Sequence, residues 1–169
     1  HYLIMGTIGA SFYLLGVGFL YLMTGTLNMV ELSQMLPAFY SSRVVVFAFF
    51  FCLIGLFIKM AMFPVHGWLP NAYSYMPTAA SGLIAALTTK VMIYVMIRIS
   101  LLVFTPSFVF VNTLLTSAMV WLAVIAIVAG SILALAQKSL TRMLTFIIVA
   151  EVGYMVGGFW LGNRDGITG

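Results

Sequence analysis

Long runs of apolar residues, interrupted by only a few polar positions, fill most of the chain. Five of these runs are long enough to cross a bilayer, because a transmembrane helix needs about 20 mostly apolar residues. Apolar and polar positions do not alternate, so the strands of a membrane β-barrel are not expected. The pattern predicts an all-α, polytopic membrane helix bundle that forms a single transmembrane domain over residues 1–169. The predicted spans are residues 2–27, 44–63, 78–99, 108–135 and 140–161.

The second predicted span carries a break. It is continuously apolar from Val44 to Ile58, then meets Lys59 and stops at Pro64. Proline cannot continue the hydrogen-bond ladder of a helix, so the helix is predicted to break or end near this residue. Residues 64–77 contain three prolines, a histidine and aromatic rings of the kind that favour the membrane interface. A broken helix at membrane depth is tolerated where it lines a cavity or is covered by protein.

Composition supports the membrane assignment and narrows the function classes. The chain is 64% hydrophobic and 6% charged, whereas soluble domains carry about 25% charged residues. Its formal charge of +4 comes from scattered residues, so a nucleic-acid surface is not expected. Cys52 is the single cysteine and is read as a small buried hydrophobe. Two histidines far apart do not suggest a metal site, and neither a cofactor nor a catalytic site is predicted. The first residue, His1, suggests a fragment of a longer protein.

Three ionisable residues interrupt the predicted spans: Lys59, Lys90 and Glu151. A charge near the bilayer centre costs about 2.5–3.5 kcal/mol on insertion scales, and such residues commonly mark ion or proton routes. Lys90 lies roughly 18 Å into its span at the helical rise per residue, and Glu151 is similarly deep. Alternatives stay open: Lys59 can extend its amine to the interface, and Glu151 can be a protonated acid that only supports packing. Together the three residues favour a polar line through the bundle.

The chemistry that such a line can perform is proton relay. A lysine in apolar surroundings loses much of its preference for the charged form, and a nearby carboxylate restores it. Moving the carboxylate would therefore load and unload the proton. His66, beside the break, could pass protons at physiological pH or make a structural hydrogen bond. Tyr94 and Tyr154 lie one helical turn from the mid-span charges and could anchor water, although packing is the commoner role of a tyrosine.

Three segments of the chain resemble the proton-translocating antiporter-like family. That family includes the D-type component of Mrp Na+/H+ antiporters and related subunits of respiratory complex I and of membrane-bound hydrogenases. The most specific match is the broken-helix signature Phe-Ile-Lys-Met-Ala-Met-Phe-Pro-Val-His-Gly-Trp-Leu-Pro-Asn-Ala-Tyr at residues 57–73. The resemblance covers essentially the whole chain. Its other parts are residues 77–83 with Thr89-Lys90-Val91, and residues 134–138 with 142–144 and 152–154.

The resemblance implies a fold of about fourteen spans built from two inverted repeats, with this chain holding roughly the sixth to the tenth. Lys59 would be the lysine at the helix break, and Lys90 the lysine that links to the second half-channel. The implied function is that of a proton-translocating subunit of a multisubunit cation/proton antiporter. An alternative is a pump subunit of an NADH-quinone oxidoreductase or hydrogenase, which leaves open whether the chain belongs to an enzyme. A different class is a non-transporting membrane scaffold.

The implied partners are other membrane subunits, lipid, H+ and, as a candidate exchange ion, Na+, in a bacterial or archaeal plasma membrane. The chain departs from the family pattern at several positions. Asn71 stands where the family usually has aspartate, and Ser139 and Thr141 replace a more charged link. Glu151 occupies a place where an uncharged residue or histidine is expected, so the resemblance supplies no role for it. The carboxylate partner of Lys59 is expected outside this chain.

Overall fold

The computed structural model consists of helices joined by short connections in the part of the chain that it describes. It describes residues 2–111 and 113–162, with the side chains of this range apart from those of residues 78–80, 82, 83 and 86. No strand occurs in these ranges, so the predicted all-α fold is confirmed. The helices are α1 (Tyr2–Thr24), α2 (Met29–Met35), α3 (Arg43–Lys59), α4 (Trp68–Ser74), α5 (Thr78–Arg98), α6 (Pro106–Val109), α7 (Thr113–Leu135) and α8 (Leu140–Trp160).

The long helices lie where the apolar runs predicted spans. Within the described residues, α1, α7 and α8 are long and apolar enough to cross a membrane by length and composition. Helix α3, with 17 residues, and α5, with 21, overlap the other two predicted spans, but α3 ends at residue 59 where the prediction extends to 63. Helix α7 begins at residue 113, after the predicted start at 108, because the short helix α6 and a turn precede it. The predicted connection between the first two spans folds into α2 and a 3-10 turn at Leu36–Phe39, where Pro37 starts the turn.

Helices α1 and α3 pack closely because glycines remove the side chains between them. A Cβ atom added to Gly16 would lie 2.5 Å from Cys52 Sγ and 2.8 Å from the carbonyl oxygen of Ala48. A Cβ atom on Gly55 would lie 2.6 Å from the carbonyl oxygen of Gly9. Small residues at a helix interface allow this backbone approach, which increases van der Waals contact between membrane helices. Cys52 is buried in this interface, as predicted.

Helices α7 and α8 form a second close pair. The spacing of Gly153 and Gly157 on α8 predicts close approach by another helix, and the structure confirms it. A Cβ atom on Gly153 would lie 3.1 Å from the carbonyl oxygen of Ala123 on α7, and one on Gly157 would lie 3.2 Å from the Ala123 Cβ. A Cβ atom on Gly130 of α7 would likewise lie 2.9 Å from the Ala150 N. Glu151 follows Ala150 directly and therefore lies on a helix that packs closely against α7.

The break in the second span begins before Pro64, because α3 ends at Lys59. Ala61 adopts a left-handed conformation with φ of 56°. The Met62 N–H donates to the Phe57 carbonyl at 3.0 Å, and the Ala61 N–H donates to Ile58 at 3.3 Å. These two bonds form a Schellman motif, a helix ending that usually has glycine at the left-handed position. The helix is thus closed by its own backbone, and proline is not needed to stop it.

Helix α4 forms inside the proline-rich segment that follows the break. Pro70 lies in its first turn, where a missing N–H removes no intrahelical hydrogen bond. The Trp68 Nε1–H donates to the Ile58 carbonyl at 3.0 Å. This bond satisfies one of the terminal carbonyls of α3 and fixes the start of α4 beside the residue that precedes Lys59.

The opposite end of the bundle is closed by an aromatic cluster. Phe49 of α3 packs edge-on against Phe104, Phe108 and Trp160, with ring centroids 4.8, 5.5 and 6.5 Å away. A π-helical turn at Ile99–Val103 extends α5 to this cluster. The cluster brings together α3, the end of α5 and α8.

Candidate functional site

Lys90 of α5 and Glu151 of α8 form a hydrogen-bonded ion pair. Lys90 Nζ donates to Glu151 Oε2 at 2.8 Å. The two side chains are 36% and 41% exposed on this chain, so water or a further helix can reach the pair. The sequence predicts each residue as a separate mid-span charge, and the structure brings them into direct contact.

The contact between the two groups stabilises their charges and places a shared proton between them. An ammonium group and a carboxylate at hydrogen-bond distance stabilise each other's charged forms, which lowers the cost of placing both in a membrane helix bundle. A proton that passes from Nζ to Oε2 converts the ion pair into two neutral groups. The same proton can thus lie on the lysine or on the glutamate, and the net charge of the pair is unchanged.

Lys59 faces a separate cavity at the break. The cavity has a volume of about 470 Å³, which is ample for several water molecules. Lys59 is the last residue of α3, where the carbonyl end of the helix favours a cation. Neither Glu31 nor Glu151, the two carboxylates in the described part of the chain, is ion-paired with it. The walls come from α1, α3, α4 and α5 and include Gly6, Thr7, Lys59, Trp68, Thr88 and Met92.

His66 lies in the connection between α3 and α4, packed between aromatic rings. Its imidazole stacks on Phe63 with ring centroids 5.3 Å apart, and it meets the edge of Phe146 on α8 at 6.0 Å. Its Nδ1 atom is buried and has no hydrogen-bond partner among the described residues. The Pro64 backbone carbonyl interacts with the imidazole, outside the geometry of a full hydrogen bond. The cavity around Lys59 is not lined by His66.

The two tyrosines singled out from the sequence lie away from the ion pair's hydrogen bond. Tyr94 is exposed, and the Arg98 guanidinium lies 5.8 Å from the centre of its ring. Tyr154 is also exposed. No hydrogen bond joins either hydroxyl to Lys90 or Glu151 in the described structure. Helical spacing identified their distance along the helix, whereas the direction of each side chain depends on the packing of α5 and α8.

Sequence reasoning passed over Thr89, which the structure places in the interior. Its side chain is fully buried and its Oγ1 atom has no hydrogen-bond partner among the described residues. The signal was available, because Thr89 precedes a mid-span lysine and is itself polar.

As for metal sites, the described residues contain no group of three or more His, Cys, Asp or Glu side chains that could hold an ion.

The structure contains a broken helix that ends in Lys59 and a second lysine, Lys90, in an ion pair. The chain that carries these features also matches a known family over its whole length. Residues 1–169 match the family described as NADH:quinone oxidoreductase/Mrp antiporter, transmembrane. The chain belongs to this family. The resemblance seen in the sequence is therefore confirmed, and the chain is a segment of an antiporter-like membrane subunit.

Two curated relatives show the range of the family. The chain is 49% identical over 162 residues to the N subunit of the NADH-quinone oxidoreductase of Desulforudis audaxviator, covering 96% of this chain and 32% of the relative. It is 32% identical over 168 residues to the D subunit of the Na(+)/H(+) antiporter of Bacillus subtilis, covering 99% and 33%. The chain thus spans about a third of the length of both relatives.

Two solved structures share the fold. The Mrp complex from Dietzia sp. DQ12-45-1b superposes with a TM-score of 0.83 at 28% identity, over 95% of this chain and 28% of the other. An archaeal respiratory complex, the membrane-bound sulfane sulfur reductase, gives 0.82 at 30% identity, over 93% and 31%. The fold is equally similar to both, so the fold does not distinguish the two types of complex.

Proposed function

We propose that this chain is the central part of a proton-translocating subunit in a multisubunit membrane complex. The observation that carries the proposal is the Lys90–Glu151 ion pair, which joins two helices in the middle of predicted spans. Placing a charged side chain at that depth costs free energy, and such residues commonly mark ion or proton routes. An ion pair that exchanges a proton would account for the presence of both charges. A proton would enter at the cavity around Lys59, and water would connect it to Lys90.

His66, beside the helix break but outside the Lys59 cavity, is a second group proposed to exchange protons. A neutral imidazole can accept a proton on one nitrogen and release another from the second. The partners in this proposal are other membrane subunits, the lipid of a bacterial or archaeal plasma membrane, and H+.

For the source of energy, the higher identity to an NADH-quinone oxidoreductase subunit, 49% against 32%, favours a redox-driven pump. Cation/proton antiport is the second candidate, because the relative of 32% identity belongs to a Na(+)/H(+) antiporter. Everted vesicles that contain the complete complex separate them with a fluorescent ΔpH indicator. A redox pump acidifies the lumen when NADH and quinone are supplied, whereas an antiporter releases a preformed proton gradient when Na+ is added.

Lys59→Ala in the full-length subunit tests the proposed path. We expect the initial rate of proton movement to fall at least about tenfold, because the entry cavity loses its ionisable group. Lys138→Ala is the matched control, since this lysine is exposed in the short α7–α8 link. If Lys59→Ala and Lys90→Ala both assemble normally and move protons at the wild-type rate, the chain is a scaffold in this complex.

His66→Phe tests the histidine separately. The replacement ring fits the aromatic contacts with Phe63 and Phe146, so we expect assembly to be retained. Proton movement should fall about tenfold if the imidazole exchanges protons. The measurement is the same vesicle assay, normalised to the amount of assembled complex. An unchanged rate would assign His66 to packing alone.

A further inference from the structure

Tyr40, in the connection before α3, is hydrogen-bonded to the turn that follows α5. Its hydroxyl donates to the Phe104 carbonyl oxygen at 2.6 Å and lies 2.7 Å from Thr105 Oγ1. Because a tyrosine has one hydroxyl hydrogen, Thr105 donates in the second bond. Thr105 Oγ1 is in turn 2.8 Å from Ser107 Oγ. The Tyr40 ring packs on Phe108 with ring centroids 4.8 Å apart, so both the ring and the hydroxyl of Tyr40 contact this turn.

The backbone of Thr105 has a conformation that requires such support. Its φ is 60° and its ψ is 151°, a combination that is essentially restricted to glycine. A β-branched residue in this region is strained and keeps the conformation only where the surrounding structure fixes it. Tyr40 provides such contacts from a distant part of the chain, to the Thr105 side chain and to the preceding carbonyl. Without them, we expect the turn to relax.

A π-helical turn joins the strained residue to α5. The turn, Ile99–Val103, continues directly from Arg98, the last residue of α5. The Phe104 N–H closes it by donating to the Ile99 carbonyl oxygen at 3.1 Å. Tyr40 thus holds the carbonyl of the same residue that closes the turn with its N–H. A π turn contains one residue more than an α turn. Its conversion to an α turn would therefore rotate the preceding helix by about 100°, the rotation of one residue.

The rotation of α5 about its own axis decides where Lys90 points. Lys90 lies about two and a half helical turns before the π turn, and its Nζ reaches Glu151 Oε2 at 2.8 Å. The two side chains are 36% and 41% exposed, so the packing around them does not by itself enforce their contact. A rotation of about 100° would turn Lys90 away from α8.

We propose that Tyr40 is a positioning residue for the Lys90–Glu151 pair. Its hydroxyl stabilises the π turn and thereby the rotation of α5 in which the pair forms. The inference rests on the proposed function and adds the residue that sets the geometry of its ion pair.

Tyr40→Phe in the full-length subunit tests this role, because phenylalanine keeps the ring against Phe108 and removes both hydrogen bonds. We expect proton movement per assembled complex to fall about tenfold, since fewer subunits would hold α5 in the productive rotation. Tyr21→Phe is the matched control. Tyr21 is exposed on α1 and its hydroxyl makes no hydrogen bond to the described residues, so its replacement should leave the rate unchanged.

Two double variants distinguish positioning from a general loss of packing. Glycine adopts the backbone conformation of Thr105 without strain, so Thr105→Gly in the Tyr40→Phe background should bring the rate back to within about twofold of wild type. A lost packing contact would not be restored by removing a second side chain. In a Glu151→Gln background, Tyr40→Phe should cause no further loss, because it acts through the pair that the first substitution has already disabled.

Several results would overturn the positioning role. These are a wild-type rate in Tyr40→Phe, a loss that Thr105→Gly does not restore, and a further tenfold loss in the Glu151→Gln background. If Tyr40→Phe does not assemble, the double variant with Thr105→Gly should assemble and move protons, and its failure also overturns the role. If Lys90→Ala stops proton movement while Tyr40→Phe retains the wild-type rate, only this inference fails. If Lys59→Ala and Lys90→Ala both move protons at the wild-type rate, the proposed function fails, and the positioning role with it.

Discussion

Glu151→Gln should reduce proton movement by about a hundredfold while the subunit still folds and assembles. Glutamine has nearly the same shape and can still accept a hydrogen bond from Lys90 Nζ, so the α5–α8 contact is retained. It cannot take up a proton from the lysine. General acid–base groups typically contribute about 10²–10⁴-fold to a rate, and the lower end of this range is expected because water can reach the pair. The measurement is the rate of lumen acidification per assembled complex.

The matched control is Glu31→Gln. Glu31 is the other carboxylate of the described chain; it is exposed on α2 and accepts a hydrogen bond from Thr26 at 2.6 Å. Its replacement should leave the rate unchanged. If Glu151→Gln also retains the wild-type rate, Glu151 belongs to packing, as the alternative interpretation of the sequence held. A slow Glu151 variant beside a normal Glu31 variant identifies the position of the carboxylate as the cause.

A double variant shows whether Lys90 and Glu151 act as one unit. Residues that share one function give non-additive losses, because the first substitution already removes what the second would affect. Lys90→Gln together with Glu151→Gln should therefore be about as slow as either single variant. Losses that multiply would instead place the two residues at independent steps of the path.

The sequence predicted the separate members of this site better than their arrangement. Apolar run length located the helices, and the insertion cost of charge marked Lys90 and Glu151. Their contact could not be predicted, because it depends on how α5 and α8 are rotated against each other, and no one-dimensional pattern records that rotation. Glu151 in particular departed from the family pattern, and the structure supplies the partner that the resemblance lacked.

The helix break shows a different limit. Proline indicated where the helix could not continue, but α3 already ends at Lys59 through the left-handed Ala61. Alanine adopts this conformation at a cost of roughly 1–2 kcal/mol. Because glycine is the usual residue at such a position, an alanine there gives no sign of the turn in the sequence. The tertiary contacts around the buried Ala61 methyl compensate for that cost. Lys59 is consequently a helix-terminal residue beside a cavity, which residue spacing alone did not show.

Gly55→Ala should destabilise the subunit by about 1–2 kcal/mol, because α1 and α3 could no longer approach as closely. The new Cβ would lie 2.6 Å from the Gly9 carbonyl oxygen, 2.6 Å from the Tyr13 N and 2.9 Å from the Tyr13 Cβ. Two of these atoms belong to the backbone of α1, so no side-chain rotation relieves the contact. Overpacking of this kind typically costs about 1–3 kcal/mol, and alanine regains up to about 1 kcal/mol in helix propensity. Thermal unfolding of the purified subunit measures the net effect.

Gly18→Ala on α1 is the matched control, since a Cβ atom there meets nothing within 4 Å. That variant gains the propensity of alanine without a clash, so its unfolding temperature should stay the same or rise.

The contact between α1 and α3 also affects the proposed proton path. Gly9 lies against Lys59, with 3.2 Å between its added Cβ position and the Lys59 Cγ, and α1 forms one wall of the Lys59 cavity. A shift of α1 away from α3 therefore enlarges that cavity, and we expect proton movement in Gly55→Ala to fall even in the fraction that assembles. Equal unfolding temperatures for the two glycine variants would show that the α1–α3 contact has room to relax.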